Sequence, residues 1–313
     1  MAQNTTNSTA FIEAEQYSSF ILRNLQDGLL PQSFYRNVTD FPSGTTLHIK
    51  TLGDVTIQDG GEDKVPNATP IDSGTITLSI NRWKSDAWYI TDKLREDGSA
   101  VEQLMAERAA ASTRAIQEVF ETDFLSEAEK AQTNADPNNV NGFAHRIASA
   151  ETNNIIDLKH ISNLKLAFDK ANVPAAGRIL LVDPVVAATL QEKVTLTSNI
   201  TSFAQMLLTN GFDREHQALF NIYGFDIITN NRLPKGTFSD GTTSVTDGVA
   251  NIAMCIVDDN CRPIMGAWRR MPRVRTERDE GIERDMFFAS CRYGFGPQRV
   301  DTLGTIITSA TNH

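Results

Sequence analysis

Few side chains in this sequence have the type and spacing that chemistry demands. The five histidines (His48, His145, His160, His216 and His313) follow no metal-ligand spacing, and neither do the three cysteines, Cys255, Cys261 and Cys291. The histidines read as surface or packing residues, and the cysteines as reduced, buried and cytosolic. Glu215-His216 beside Asp213 joins a base to an orienting acid, but no nucleophile accompanies them. Asp258-Asp259 has the charge to touch a metal, although a hairpin turn accounts for it more simply. No dinucleotide fingerprint, phosphate loop, paired-histidine zinc motif or nucleophile elbow occurs. Gly294-Phe295-Gly296 is too short for a phosphate cradle and reads as a bulge or bend. Trp83, Trp88 and Tyr89 read as an aromatic knot of core packing, since no basic stripe interleaves them as base stacking would need. The expectation is no catalytic, cofactor or metal site. Because triads are assembled in space, a soluble enzyme of the central segment using Asp213, His216 or Asp258 stays open as an alternative.

Charge is distributed unevenly. The 313 residues carry a net charge of −10, yet nine arginines stand against five acids between Arg262 and Arg299. An acidic surface opposes broad nucleic-acid wrapping. The arginines read as a solvated basic strand face or as a subunit contact with an acidic neighbour, and less well as a nucleic-acid site. Composition, 40% hydrophobic and 22% charged, is ordinary for one elaborate domain or two. Met1 to Ala10 shows no secretory signal, and the apolar runs Ile179–Val182 and Ile252–Val257 are too short to span a bilayer.

The elements that must position these residues begin with an amphipathic segment from Ala10 to Leu30, read as a docked arm. From Thr45 to Ile90 the chain reads as a long ribbon. Leu47, Ile49 and Thr51 alternate with His48 and Lys50 on one arm, and Ile76, Leu78 and Ile80 with Thr75, Thr77 and Ser79 on the other. Between the arms lies a turn-rich acidic tip with Asp54, Asp59, Glu62 and Asp63. A two-stranded ribbon is marginal in water on its own and needs a neighbour. Ser99-Ala-Val-Glu102 then reads as a capping box. It opens a helix to Lys130, about 45–50 Å long at 1.5 Å per residue, with Val101, Leu104, Met105, Ala109, Ile116, Val119 and Phe120 at helical spacing. After the turn cluster Pro137–Gly142, helices are predicted at Asp157–Asn172 and after Asp183-Pro184. Strands are predicted at Ile179–Val182, Tyr223–Asn230 and Val249–Val257, with a loop over Gly236–Gly248. A hairpin turning at Asp279-Glu-Gly281 fills Val274–Leu303.

This order of parts resembles the major capsid proteins of tailed bacteriophages, with the Hong Kong 97-type shell fold. The arm Phe11 to Leu30, the ribbon, Trp88-Tyr-Ile-Thr-Asp92 before the long helix, the α/β module and the closing Tyr293-Gly-Phe-Gly-Pro297-Gln-Arg-Val300 carry the likeness over nearly the whole chain. It implies an α+β fold. Residues 1–40 would be an N-terminal arm, 41–92 an extended E-loop hairpin and 93–140 a peripheral domain with its spine helix. Residues 141–262 would be the axial α/β domain and 263–313 return strands of the peripheral domain. It further implies a shell of hexamers and pentamers around double-stranded DNA that is touched non-specifically if at all, with no membrane. The virion capsid would be assembled in the host bacterial cytoplasm with a separate scaffolding protein, a portal and a possible decoration protein. An encapsulin-like nanocompartment is the alternative of the same fold. Lys50 and Lys64 lie in the ribbon, but no acceptor is identifiable, so no crosslinking activity is carried over. The expected subunit contact joins Asp54, Asp59, Glu62 and Asp63 of one copy to Arg269, Arg270, Arg273 and Arg275 of the next.

Overall fold

A computed structural model describes residues 29–39, 44–53, 57, 73–98, 101–132, 136–197 and 220–312. Most of the arm, the ribbon's acidic tip, Ser99, and the Asp213–His216 group lie outside the described residues. After a single turn of 3-10 helix the elements are β1 (Arg36–Asn37), β2 (Thr46–Leu52), β3 (Ser73–Ser79), β4 (Arg82–Thr91), α1 (Asp92–Asp97) and α2 (Val101–Lys130). There follow β5 (Asn139–Val140), β6 (Phe143–Ala144), β7 (Arg146–Ala148), α3 (Leu158–Lys170), β8 (Arg178–Val182) and α4 (Pro184–Thr197). The chain closes with β9 (Phe220–Ile222), β10 (Phe225–Thr229), β11 (Lys235–Ser239), β12 (Ser244–Cys255), β13 (Ile264–Asp279), β14 (Arg284–Pro297) and β15 (Leu303–Ser309).

Two sheets share one continuous core. The larger runs β7-β15-β12-β8-β10-β9, with β11 on β12. Its central strands β8 and β15 are buried along their whole length, as apolar runs with both faces covered should be. Two well-capped helices belong to this module. The Asp157 amide donates to His160 Nδ1 at the start of α3 (3.1 Å). Asp183 accepts from the Val185 amide at the start of α4 (3.2 Å). These caps satisfy amides that a helix cannot satisfy itself. Gly304 lets α3 sit close on β15, since a Cβ there would lie 2.6 Å from Leu164 Cδ1. The predicted loop over Gly236–Gly248 is instead a hairpin. Asp240 Oδ1 accepts from the Thr242 and Thr243 amides (2.9 and 2.7 Å) and turns β11 into β12.

The smaller sheet runs β1-β13-β14-β4. The predicted hairpin reverses at Asp279 as expected, but its second strand ends at Pro297. Leu303–Ser309 then crosses to the larger sheet and pairs antiparallel with β12, so the return segment 263–313 serves both sheets. Likewise Arg82–Ile90, read as ribbon, belongs to β4 (Arg82–Thr91), an edge strand paired with β14 along ten residue positions.

Helix α2 lies against both sheets through its C-terminal half. Ile116, Phe124, Leu125 and Ala128 are buried there, whereas Leu104 and Val119 of the expected apolar face are exposed. Phe120 stacks on Trp268 (centroids 4.3 Å apart) and meets Tyr293 and Phe295 at 4.8 and 4.7 Å. Beside them a polar junction ties three elements. Asp123 accepts from the Tyr293 hydroxyl (2.7 Å) and pairs with Arg82 (2.7 Å) and Lys84 (3.2 Å). Arg82 also reaches Glu127 (2.7 Å). Burial alone would raise the Asp123 carboxyl, but Tyr293, Arg82 and Lys84 outweigh it and hold the group below its usual range. Burial, then Asp123, pushes the Tyr293 phenol up. These inward-facing charges also guard the edge strand β4 against stray pairing. Because the folded-state carboxyl ionises below its unfolded value of about 3.9, the junction's contribution is complete above roughly pH 4 and is lost as pH falls. Asp123→Asn is expected to cost about 1–3 kcal/mol at neutral pH and to flatten the acid limb of stability, as urea unfolding between pH 2 and pH 7 would read.

Candidate subunit-contact surface

The candidate catalytic groups do not assemble. Among the described residues no cluster of three or more His, Cys, Asp or Glu could hold a metal, and no helix is long and apolar enough to cross a membrane. Asp258 and Asp259 form a turn: the Asp258 main-chain carbonyl accepts from the Cys261 amide, and Asp259 pairs with Arg262. His160 caps α3, and buried His145 stacks on Phe168 (5.5 Å).

The extended parts are organised instead. Strands β2 and β3 pair in register from Thr46↔Ser79 to Leu52↔Ser73, as a separate two-stranded sheet. Their apolar face is fully buried only at the root. Leu78 and Ile80 are buried on Met265 and Ala267, with Val38, Leu47, Ile49 and Ile76 packed partly around them. Burying each such large side chain is worth roughly 1.5–3 kcal/mol. Along β2 the apolar face, Leu47, Ile49 and Thr51, stays half-buried, whereas Leu52, on the opposite face with His48 and Lys50, is 73% exposed, and Ile57 farther along is 87% exposed. Gly294 and Gly296 make the root possible. The main chain of Ser79 and Ile80 crosses directly over Gly294, where a Cβ would strike the Ser79 carbonyl oxygen, and Thr77 O would lie 3.3 Å from a Cβ on Gly296. The pair marks close backbone approach rather than a bend.

The face of the smaller sheet turned away from α2 is the second unfinished surface. Strand parity separates the three aromatics expected to form a knot. Trp88 points inward, stacked on Phe287 (5.7 Å) under Arg108 (4.9 Å), while Trp83 and Tyr89 point outward, 68% and 61% exposed. Arg270 lies over Trp83 (5.5 Å) and Arg284 over Tyr89 (5.2 Å). Bulges on either side of Arg270 shift the β13 register, and Pro272 cannot donate to the ladder. Beyond them Arg273 and Arg275 pair with Ser290 and Phe288 on the outward face. Desolvation, then the like charges of Arg275 and Arg270, push the Arg273 guanidinium below its usual value. Among the described residues, Arg270, Arg273 and Arg275 are in no salt bridge. Trp83, Ser85, Arg270, Arg275, Phe288 and Ser290, with Thr276 and the acidic Glu277, line an open cleft of about 530 Å³. Three of the four predicted contact arginines are thus brought to one face, and the fourth, Arg269, is exposed at the bulge beside them. Their expected acidic partners lie outside the described residues.

A further tie lies at Leu30, near the start of the described residues. The Leu30 amide donates to buried Glu121 of α2 (3.1 Å), which also accepts from Asn230 (2.6 Å) and pairs with Arg232 (3.5 Å). One carboxylate thus fixes the arm's root and joins the spine helix to the larger sheet. No local pattern pointed to it.

An α+β body with a projecting ribbon, a long helix and an uncovered basic, aromatic sheet face defines a shell-forming structural subunit of the Hong Kong 97-type fold. The phage capsid protein family matches residues 74–307, and the chain belongs to that family. No curated protein matches the sequence. Among solved structures, a chain from Mycobacterium phage Che8 is similar at 18% identity, covering 98% of this chain and 100% of that one with a TM-score of 0.66. The capsid of cyanophage P-SCSP1u is 14% identical over 96% and 94%, with a TM-score of 0.70. The mature capsid of bacteriophage PhiM1 is 11% identical over 96% and 93%, with a TM-score of 0.71. Gly294→Ala is expected to lift the ribbon root off β14 and destabilise the chain by about 1–3 kcal/mol. Thermal melts, with limited proteolysis inside residues 46–79, check it.

Proposed function

We propose that this protein forms the icosahedral head shell of a tailed phage and encloses double-stranded DNA, as hexamers and pentamers of one chain. The proposal carries with it assembly in the host bacterial cytoplasm on a separate scaffolding protein, with a portal and a possible decoration protein. Membership of the phage capsid protein family favours this over a nanocompartment or an enzyme.

The observation that carries the contact scheme is the row Arg270, Arg273 and Arg275 beside exposed Trp83, none of them in a salt bridge among the described residues although Glu277 lines the same cleft. The acidic ribbon tip of a neighbouring copy, with Asp54, Asp59, Glu62 and Asp63, has the opposite charge and a reach of its own. Opposite charge sets register and steers encounter, and the exposed apolar side chains around it add area. A standard interface buries about 800 Å² on each partner. Repeated around a ring, contacts that are weak singly become stable together.

Charge reversal at two outward positions, Arg273→Glu with Arg275→Glu, is expected to abolish particles in negative-stain micrographs while leaving circular dichroism and melting temperature near wild type. Compensating Asp59→Lys, Glu62→Lys and Asp63→Lys in the same chain is expected to restore assembly. Normal particles from the arginine variant at both low and high salt would refute the contact.

A further inference from the structure

Strand β12 of the larger sheet ends at Cys255, and the chain then crosses to β13 of the smaller sheet through a tight turn at Asp258–Cys261. Cys255 is buried, and its thiol lies 3.7 Å from the Ala176 carbonyl and 4.0 Å from that of Pro174. The turn brings Cys261 back toward it: the amide of Cys261 donates to Asp258 O (2.9 Å), and the Cys261 side chain is among the neighbours that raise the Cys255 thiol. Cys261 is partly exposed and packs on the edge of the main core. The turn is gripped from the smaller-sheet side. Gln298 donates to Asp259 O (3.1 Å), and Arg262 to Tyr35 O (3.5 Å). The third cysteine, Cys291, is buried separately on β14.

We infer that Cys255 and Cys261 are a modification site, an intrachain disulfide that closes in an oxidising medium and staples the crossover between the two sheets. Small-molecule disulfides such as oxidised glutathione are the oxidant. The partly exposed Cys261 thiolate attacks one sulfur of the oxidant, forming a mixed disulfide and expelling one thiolate. Cys255 then gives up its proton and attacks the Cys261 sulfur, expelling the second thiolate. Two protein thiols lose two electrons in all, and the oxidant is reduced to two thiols. Burial raises the Cys255 thiol above its ordinary value, which makes it the slower, resolving partner and Cys261 the entry point. A reducing cytosol keeps such a pair open and an extracellular medium closes it. The timing of closure rests on the proposed assembly in a host cytoplasm, but the pairing itself does not.

The test uses assembled full-length particles, treated with oxidised glutathione, quenched in acid, then denatured and alkylated for peptide mass spectrometry. Free thiols are expected to fall from three to one per chain, with Cys255 linked to Cys261 and Cys291 alkylated, and the particle melting temperature is expected to rise and to return on reduction. Cys261→Ser particles are expected to show neither change. Three free thiols after oxidation, a disulfide to Cys291, or one between chains would overturn the pairing, whether or not the shell reading stands. A linked pair with an unchanged particle melting temperature would overturn its role as a staple. The wild-type thiol count decides the pairing even where a cysteine variant fails to fold.

Discussion

A two-stranded ribbon has an apolar face that one chain cannot cover along its length, and the rest of this structure is arranged around that constraint. The ribbon's first turns of contact are secured by Leu78 and Ile80 on Met265 and Ala267, with Gly294 and Gly296 letting backbone lie on backbone. Leu52 and Ile57 are exposed apolar side chains, and covering them would gain hydrophobic free energy.

The body must be stiff enough for that cover to form, because a contact made at the end of a lever is only as specific as its root. Helix α2 supplies the stiffness. Its C-terminal half is locked into the common core by the Phe120 stack and by Asp123 among Tyr293, Arg82 and Lys84, and Glu121 joins it to the larger sheet and to the arm. Its N-terminal half, with Leu104 exposed, lies outside that core. That half is tied to β4 instead, through Arg108 on Asp86 and over Trp88.

Much of this was legible locally. Period-two alternation marked β2, β3 and the β13–β14 hairpin, helical spacing of Leu158, Ile161, Leu164 and Phe168 marked α3, and the cap at Asp183 marked α4. The long helix was visible because no Pro or Gly interrupts it. What failed was pairing across distance. Alternation announces a strand without naming its partner, so Arg82–Ile90 was read with the ribbon rather than with β14, and Leu303–Ser309 fell within the return strands 263–313 without its pairing to β12 being seen. Strand parity alone separates Trp83 and Tyr89 from Trp88, and that signal was available. The close-approach role of Gly294 and Gly296, and the meeting of Asp123 with Arg82 and Tyr293, leave no mark in a single sequence, since nothing local records which backbone passes overhead. The outward arginines were found by charge count, and their shared face follows from register across two bulges.

Amide hydrogen exchange compares the free and assembled states of the same chain directly. In dissociated protomers the amides of residues 46–52 and 73–76 are expected to exchange within seconds to minutes, while those of β8, β12 and β15 stay protected. In assembled particles the ribbon amides are expected to become protected by at least an order of magnitude together with the outer face around Trp83 and Arg273. Equal, strong protection of the ribbon in both states would contradict the account, because it would mean that one chain finishes its own ribbon.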